Sequence, residues 1–366
     1  METELKITKG SVTVYYCFDI ANEIDIDKIE TVFGKKPEKG NIVLERLTPS
    51  YVQYKNPPLL IRLGKKKIGK FNFELEAKLY EFGVVTIRLW MPISGSIKSL
   101  QQLSSKLVNN KELEKAARAE LDKIKKEIQP SLETHKMEVD QFFEDYIIFE
   151  VNKFNRKITP DDLLEKYKMD IARALRCEEG ELSRHELLDA VKFHLSYYKD
   201  DIVFIDWNAA FIFDEKHTYD VTDVLEYAVI ELLELRTYDT VLDSVLDKAY
   251  SDLLKKNRFS LSPHTKTLNY LAEVRLEISD VIEKVENSLK LIGDLYLAKV
   301  YTLASGRFYH EKWRRGVEKK LETLEGIYSM LSGRQWDRKL LLVEIFMTAL
   351  FIIWFATELV LLFVGK

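Results

Sequence analysis

The chain has 366 residues, of which 46% are hydrophobic and 31% are charged, with 14 glycines and 8 prolines. This composition excludes a disordered or collagen-like protein, and the length favours two or more structural units. A net charge of -4 provides no overall positive field, so nucleic acid is not expected as a partner. Two cysteines, Cys17 and Cys177, are too few for a secreted disulfide scaffold.

The first 93 residues contain short runs of β-branched and aromatic residues, which are typical of strands. Strands are predicted at 11–19, 42–46, 59–63, 71–79 and 84–90, and a helical pattern lies near 24–32. The run at 71–79 alternates apolar and polar residues, as expected of an antiparallel strand with one exposed face. This part of the chain is therefore predicted to be rich in β-structure.

Helical and extended patterns are mixed between residues 94 and 218. A polar turn at 94–96 precedes a helical stretch that ends near Ile128, and strands are predicted at 142–151, 202–205 and 209–213. Thr159 followed by Pro160, and Ser183 followed by Glu186, are helix-start signals. We interpret 1–218 as a head of mixed or antiparallel α/β type, divisible into 1–93 and 94–218, in a chain of α+β class.

From residue 219 to 339 the pattern becomes helical, with apolar residues spaced alternately three and four apart. Two such runs begin at Leu225 and Leu271, and the sequence between them is broken at 260–263. A sustained spacing of this kind predicts a coiled-coil hairpin that forms a stalk. A third run, from Val317 to Leu331, leads towards the C-terminal segment.

One charged residue, Asp239, falls in the predicted apolar seam of the stalk. A buried carboxylate is costly unless it has a partner. If the two helices turn near Leu261, the residues opposite are close to Lys284 and Asn287. We expect one of these to neutralise or hydrogen-bond Asp239.

The segment 340–364 is apolar apart from Glu344 and Glu358. At about 1.5 Å per residue, some 25 residues span roughly 37 Å, enough to cross a hydrocarbon core of about 30 Å. A transmembrane helix is predicted here, and its position makes it a C-terminal anchor in the lipid bilayer.

Basic residues precede this span, and they predict its orientation. Arg334, Arg338 and Lys339 lie directly before it, and Trp336 occupies a position suited to the membrane interface. The positive-inside rule therefore predicts that the soluble body lies in the cytoplasm or in an equivalent compartment of an organelle. No signal or transit peptide pattern opens the sequence.

Polar and aromatic residues form a stripe along one face of the predicted span. Its members are Glu344, Thr348, Phe351, Phe355 and Glu358. The two glutamates are separated by two heptads, and a carboxylate in a membrane is expensive unless it is partnered. Two interpretations stay open: the glutamates reach the interfaces, or the stripe forms a contact between copies of the chain.

No catalytic motif in the sequence is complete. Gly64 to Phe71 resembles a phosphate-binding loop, but Phe71 replaces the hydroxyl residue that holds magnesium, and a strand pattern follows instead of a helix. The six histidines form no zinc motif, and no nucleophile elbow or pair of cysteines occurs. We predict no catalytic residue, metal ligand or cofactor, and interpret the run from Glu231 to Asp239 as charge pairing along a helix, with Arg236 beside Asp239.

Three segments suggest a distant resemblance to a known family: Tyr80 to Val85, the stretch from Ala228 to Asp239, and the start of the apolar segment at Leu340. With the order of α/β part, long helices and C-terminal span, the chain resembles the meiotic-nuclear-division (Rmd/Rmnd) family of membrane proteins. Eukaryotic members of that family are mitochondrial inner-membrane proteins that support organellar translation. Because this sequence shows no transit peptide pattern, the resemblance implies a prokaryotic relative in the plasma membrane. The resemblance implies no catalytic residues.

We therefore expect a non-enzymatic, membrane-tethered scaffold or assembly factor that self-associates and has a protein partner. One alternative is an ion-channel-like protein, because a helical stalk that leads into a membrane helix also describes CorA-type magnesium channels. Those channels have two spans and a Gly-Met-Asn loop, and this sequence contains neither. The other alternative is an enzyme at the membrane surface, which would require a polar pocket in the head.

Overall fold

The computed structural model describes residues 4–29, 44–46, 58–133, 142–215, 220–254 and 295–364, and single residues at 272, 275, 276, 278, 279 and 283. The chain divides into two compact units. The first contains Met1–Tyr238 and Ser279–Arg314, and the second contains Asp239–Ile278 and Arg315–Lys366. Residues 216–219 and the segment around the predicted helix break at 260–263 lie outside the described residues.

The first unit is built on a nine-stranded sheet with the order β3-β4-β5-β6-β1-β8-β11-β10-β9. Its strands are β1 (Lys6–Asp19), β3 (Leu44–Arg46), β4 (Leu59–Ile68), β5 (Phe71–Leu79), β6 (Val84–Ser96), β8 (Phe143–Phe154), β9 (His194–Leu195), β10 (Asp201–Ile205) and β11 (Ala209–Asp214). Neighbouring strands are antiparallel except β8 and β11, which are parallel. The predicted α+β class is confirmed.

Three short strands have no counterpart in the predictions. β2 (Glu23–Ile24) pairs with β7 (Leu132–Glu133) in a separate two-stranded sheet, and β9 extends the edge of the large one. The predicted polar turn at 94–96 is wrong, because β6 continues to Ser96 and pairs there with Lys6. Two-residue strands show no periodicity, so the sequence pattern could not reveal them.

Between residues 99 and 190 the described part of the first unit contains five α-helices and a π-helical turn. They are α1 (Ser99–Leu107), α2 (Lys111–Ile128), α3 (Pro160–Asp162), a π-helical turn (Leu163–Tyr167), α4 (Lys168–Arg176) and α5 (Arg184–Ala190). Thr159 caps α3 in a full capping box with Asp162, and the Ser183 hydroxyl accepts from the Glu186 amide at the start of α5.

Side chains of β1 alternate between two faces of the sheet, and both faces are buried. Val12, Val14 and Phe18 belong to the main hydrophobic core, together with apolar residues of α1, α2, α4 and α5. Thr13 and Tyr15 point to the other face and are 0% and 1% exposed. A second layer must therefore cover this more polar face.

The C-terminal half is helical, as predicted, and contains α6 (Asp220–Leu254), α7 (Leu295–Arg307) and α8 (His310–Val364). In the part of α6 from 221 to 238, every residue is buried except Asp223 and Arg236, which are half-buried. A two-helix coiled coil buries one narrow seam, whereas this segment is buried around its whole circumference. The first half of α6 is a core helix of the first unit, and a coiled coil is not observed there.

Candidate functional site

Charged residues of α6 meet a buried lysine on the second face of the sheet. Lys78 of β5 lies with its Nζ atom 2.7 Å from Asp223 Oδ1 and 2.7 Å from Glu226 Oε2. The side chains of Lys78 and Glu226 are 2% and 0% exposed. A buried ion pair of this kind favours one register of the helix on the sheet, because any shift leaves a charge unpaired.

Aromatic and cationic side chains surround this contact. The Arg88 guanidinium lies 5.4 Å from the centre of the Tyr15 ring. Burial raises the pKa of Tyr15 well above its ordinary value, so the phenol stays neutral. Within the described part of the chain, no hydrogen-bond partner lies within reach of the Tyr15 or Thr13 hydroxyls.

A second contact joins α6 to the sheet at Arg236. Its guanidinium is bonded to Glu144 of β8 and lies 5.8 Å from the centre of the Trp313 ring. Glu144 is a partner of Arg236 that the sequence pattern did not predict, and the predicted pairing of Arg236 with Asp239 stays a prediction. Burial raises the pKa of Glu144 to about 7, although Arg236 acts in the opposite direction.

The start of α8 is fixed to α6 by a buried histidine. α7 ends at Arg307, Tyr309 has a left-handed backbone with φ of 57°, and His310 opens α8. Nδ1 of His310 lies 3.1 Å from Oε2 of Glu231, and Arg314 donates to Oε1 of Glu231 at 2.9 Å. Tyr301 of α7 also donates to Glu231. Burial alone would raise the pKa of Glu231, but these partners hold it below its ordinary value.

A fourth charge cluster lies where β10 turns into β11. Asp206 is 1% exposed and bonds to Arg307 of α7, and its Oδ2 lies 3.4 Å from Arg176 of α4. Both arginines also reach Oδ2 of Asp189, at 3.0 and 2.8 Å. The cluster therefore connects α7 with α4 and α5 at this end of the sheet.

In the second unit, Asp239 pairs with a lysine of α8. Nζ of Lys320 lies 2.8 Å from Asp239 and 2.7 Å from Asp243. The predicted partners Lys284 and Asn287 lie outside the described residues. The Asp239 side chain is 21% exposed, so it is less buried than a residue at the centre of a coiled-coil seam.

The C-terminal part of α8 is apolar and exposed. Within the described residues, Leu340–Thr357 is the one segment long and apolar enough to cross a membrane, and none of it is buried. Glu344, Thr348, Phe351, Phe355 and Glu358 lie on this one continuous helix. The exposed fractions of Phe351 and Phe355 are 62% and 55%.

For residues 331–339 and 358–364 the structure describes the helical backbone but not the side chains. Arg334, Trp336, Arg338 and Lys339 lie in the same helix, which continues without a break through Gly333. Their side chains, and that of Glu358, are outside the described part, so the predicted stripe and flanks stay predictions. Among the described residues, no group of three His, Cys, Asp or Glu side chains could hold a metal ion.

Comparison with known proteins shows a family to which the N-terminal part of the chain is similar. The family model of the "Uncharacterized protein MJ0711, N-terminal domain" matches residues 9–220, more than half of the chain. The chain belongs to this family. The uncharacterized protein MJ0711 of Methanocaldococcus jannaschii is 26% identical over 196 residues, which cover 53% of this chain and 59% of that relative. No solved structure matches the chain.

The match to the MJ0711 N-terminal domain family ends where α6 begins. It therefore contains α1–α5 and the large sheet apart from the first three residues of β1, while α6, α7 and α8 follow it. The comparisons support this family and do not show the meiotic-nuclear-division family.

Sequence reasoning missed the buried ion pairs, because their partners are far apart in the chain. Lys78 and Glu226 are 148 residues apart, and Asp206 and Arg307 are 101 apart. Lys78 occupies a polar position in an alternating strand, which predicts exposure to solvent. One indication of these pairs is present in the sequence: three carboxylates, Glu226, Glu231 and Glu234, lie close together in an otherwise apolar helix.

Proposed function

We propose that this protein is a single-pass membrane protein that holds its α+β unit at the cytoplasmic surface as a scaffold for assembly. The observation that carries the proposal is the exposed apolar surface of Leu340–Thr357. In water, a helix with apolar side chains on every face would be buried against protein. Inserted in a bilayer, the same helix has its backbone satisfied internally and its side chains in hydrocarbon.

The contacts at the start of α8 support a tethering role. His310 is 1% exposed and is held by Glu231, so the helix that carries the apolar segment begins inside the α+β unit. Both faces of the sheet are covered, which suits a rigid body that presents its outer surfaces to a partner. The proposal includes two further points. The protein associates with other copies of itself, and it is distantly related to the meiotic-nuclear-division family, whose order of elements is similar.

The membrane test uses the full chain and two double variants. The parent should stay in the membrane pellet after extraction with alkaline carbonate. Ile352→Lys/Ile353→Lys should move it towards the supernatant, because each lysine at the centre of a span costs about 2.5–3.5 kcal/mol. Ser329→Lys/Met330→Lys adds the same charge to exposed positions of α8 outside the span and should not change the pellet.

A reporter fused after Lys366 should face away from the cytoplasm, which tests the orientation. The proposal is overturned if the full chain remains in the supernatant without detergent.

The scaffold role is tested by the mass of the solubilised complex and the proteins that co-purify with it. A complex with no second protein and the mass of one chain would contradict it.

A further inference from the structure

An open groove beside the π-helical turn is large enough to hold a small ligand. It has a volume of about 780 Å³ and lies between the segment 164–168 and α5 with the residues that follow it. Ligand pockets in proteins are typically about 300–1,000 Å³ in volume. The groove lies entirely within the part of the chain that matches the family model.

The wall of the groove contains a rare backbone feature. Leu164 and Glu165 line the groove and belong to the π-helical turn Leu163–Tyr167. Such turns are uncommon, and they occur frequently at functional sites. The turn interrupts an otherwise α-helical segment between α3 and α4.

The charges of the groove favour an anion. Lys168 and Lys192 line it, and the two carboxylates in the lining are Glu165 and Asp189. Asp189 already accepts from Arg176 at 2.8 Å and from Arg307 at 3.0 Å, two cations that it shares with Asp206. Among the lining residues that the structure describes, Glu165 is thus the carboxylate left beside Lys168 and Lys192.

Histidine and apolar side chains complete the lining. Nδ1 of His194 lies 2.9 Å from the Val191 carbonyl, which can only accept, so Nδ1 carries a proton. The apolar part of the wall is formed by Leu164, Leu188 and Val191, and Leu188 is 41% exposed. A charged head group and a short hydrocarbon chain would both find matching surfaces here.

We propose that this groove binds a small organic anion with a short apolar chain, its carboxylate or phosphate paired with Lys168 and Lys192. The hydrocarbon chain then covers Leu188, and the two lysines provide charge-assisted hydrogen bonds to the head group. This site is independent of the membrane tether, and either proposal can fail alone.

Binding is measured by calorimetry with the full chain in nanodiscs of zwitterionic lipid. The probes are sodium hexanoate, hexyl phosphate, inorganic phosphate and hexanol. Hexanoate, hexyl phosphate or both should bind saturably with one site per chain, and their comparison identifies the head group. Inorganic phosphate and hexanol should each bind at least about tenfold more weakly, since each lacks one half of the ligand.

Matched variants locate the site. Lys168→Gln/Lys192→Gln should weaken binding by at least about tenfold, the equivalent of one charge-assisted hydrogen bond. Lys153→Gln/Lys157→Gln removes the same charge from exposed positions outside the groove and should leave affinity unchanged. Leu188→Asp, at an exposed position, should also abolish binding without unfolding the chain.

Three results would overturn the proposal. The first is no saturable binding of hexanoate or hexyl phosphate. The second is equal affinity of the parent and Lys168→Gln/Lys192→Gln. The third is inorganic phosphate binding as tightly as hexyl phosphate, which would leave the apolar wall without a role.

Discussion

Lys78 shows how a single residue can connect distant parts of the chain. Its ammonium group is removed from water and is compensated by two carboxylates, Asp223 and Glu226, on a helix that begins about 140 residues later. The desolvation cost of such a group is repaid only while both partners are in place. This contact therefore adds little net stability but strongly disfavours any other position of α6.

Removing the lysine should be far more damaging than its contact energy suggests. Lys78→Met leaves Glu226 buried without its cation and should lower the free energy of unfolding by about 3–5 kcal/mol. Lys78→Met/Glu226→Gln should recover part of this loss, because the buried charge is then removed as well. Thermal unfolding followed by tryptophan fluorescence measures both effects.

Lys66 provides the matched control for this prediction. It pairs with Glu120 at 2.9 Å, but its side chain is 41% exposed. Lys66→Met should therefore cost less than about 1 kcal/mol. If Lys78→Met lowered the melting temperature no more than Lys66→Met, the buried pair would not position α6.

At the scale of elements, the long strands could be predicted from the sequence, but the helix that packs against their polar face could not. Alternation in Phe71–Leu79 and the apolar run in β1 predicted strands that the structure contains. The same alternation assigned the polar face of β5 to solvent, because a sequence cannot show that α6 covers it. The candidate groove was missed for a related reason: its lining comes from two segments, and neither carries a motif.

The turn between β5 and β6 shows why one glycine is required. Gly83 has φ of 94°, and a Cβ atom placed there would lie 1.5 Å from the carbonyl oxygen of Ala21. The backbone of this turn also binds the chain after β1, since the Ile20 amide donates to the Gly83 carbonyl at 3.1 Å. The segment Tyr80 to Val85 is therefore a structural corner of the unit.

Gly83→Ala should lower the free energy of unfolding by at least about 2 kcal/mol, since backbone strain and a displaced neighbour both contribute. Gly180→Ala is the control, because a Cβ atom at Gly180 meets no atom within 4 Å. That variant should lie within about 0.5 kcal/mol of the parent. Equal melting temperatures for the two variants would show that the corner can relax.

At the scale of the whole molecule, the chain combines two kinds of surface. The sheet of the first unit is covered on both faces, whereas Leu340–Thr357 has no protein cover in the described part of the structure. In the proposed membrane-bound state, a bilayer covers most of the segment. It does not explain the polar stripe, because lipid satisfies no carboxylate and gives helices no hydrophobic drive to associate.

The stripe is therefore the place to test self-association. Glu344→Leu/Glu358→Leu keeps the span apolar and removes only the polar contact. If the stripe joins two copies, this variant should shift the detergent-solubilised chain towards the mass of one copy, because interhelical polar contacts contribute about 0.6–2 kcal/mol each. Thr357→Leu is the control: its hydroxyl donates to the Trp354 carbonyl at 2.6 Å within the same helix, and residue 357 lies off the stripe. Analytical ultracentrifugation at several protein concentrations measures the mass. An unchanged mass in the double variant would mean that the glutamates reach the membrane interfaces and that the stripe has no part in assembly.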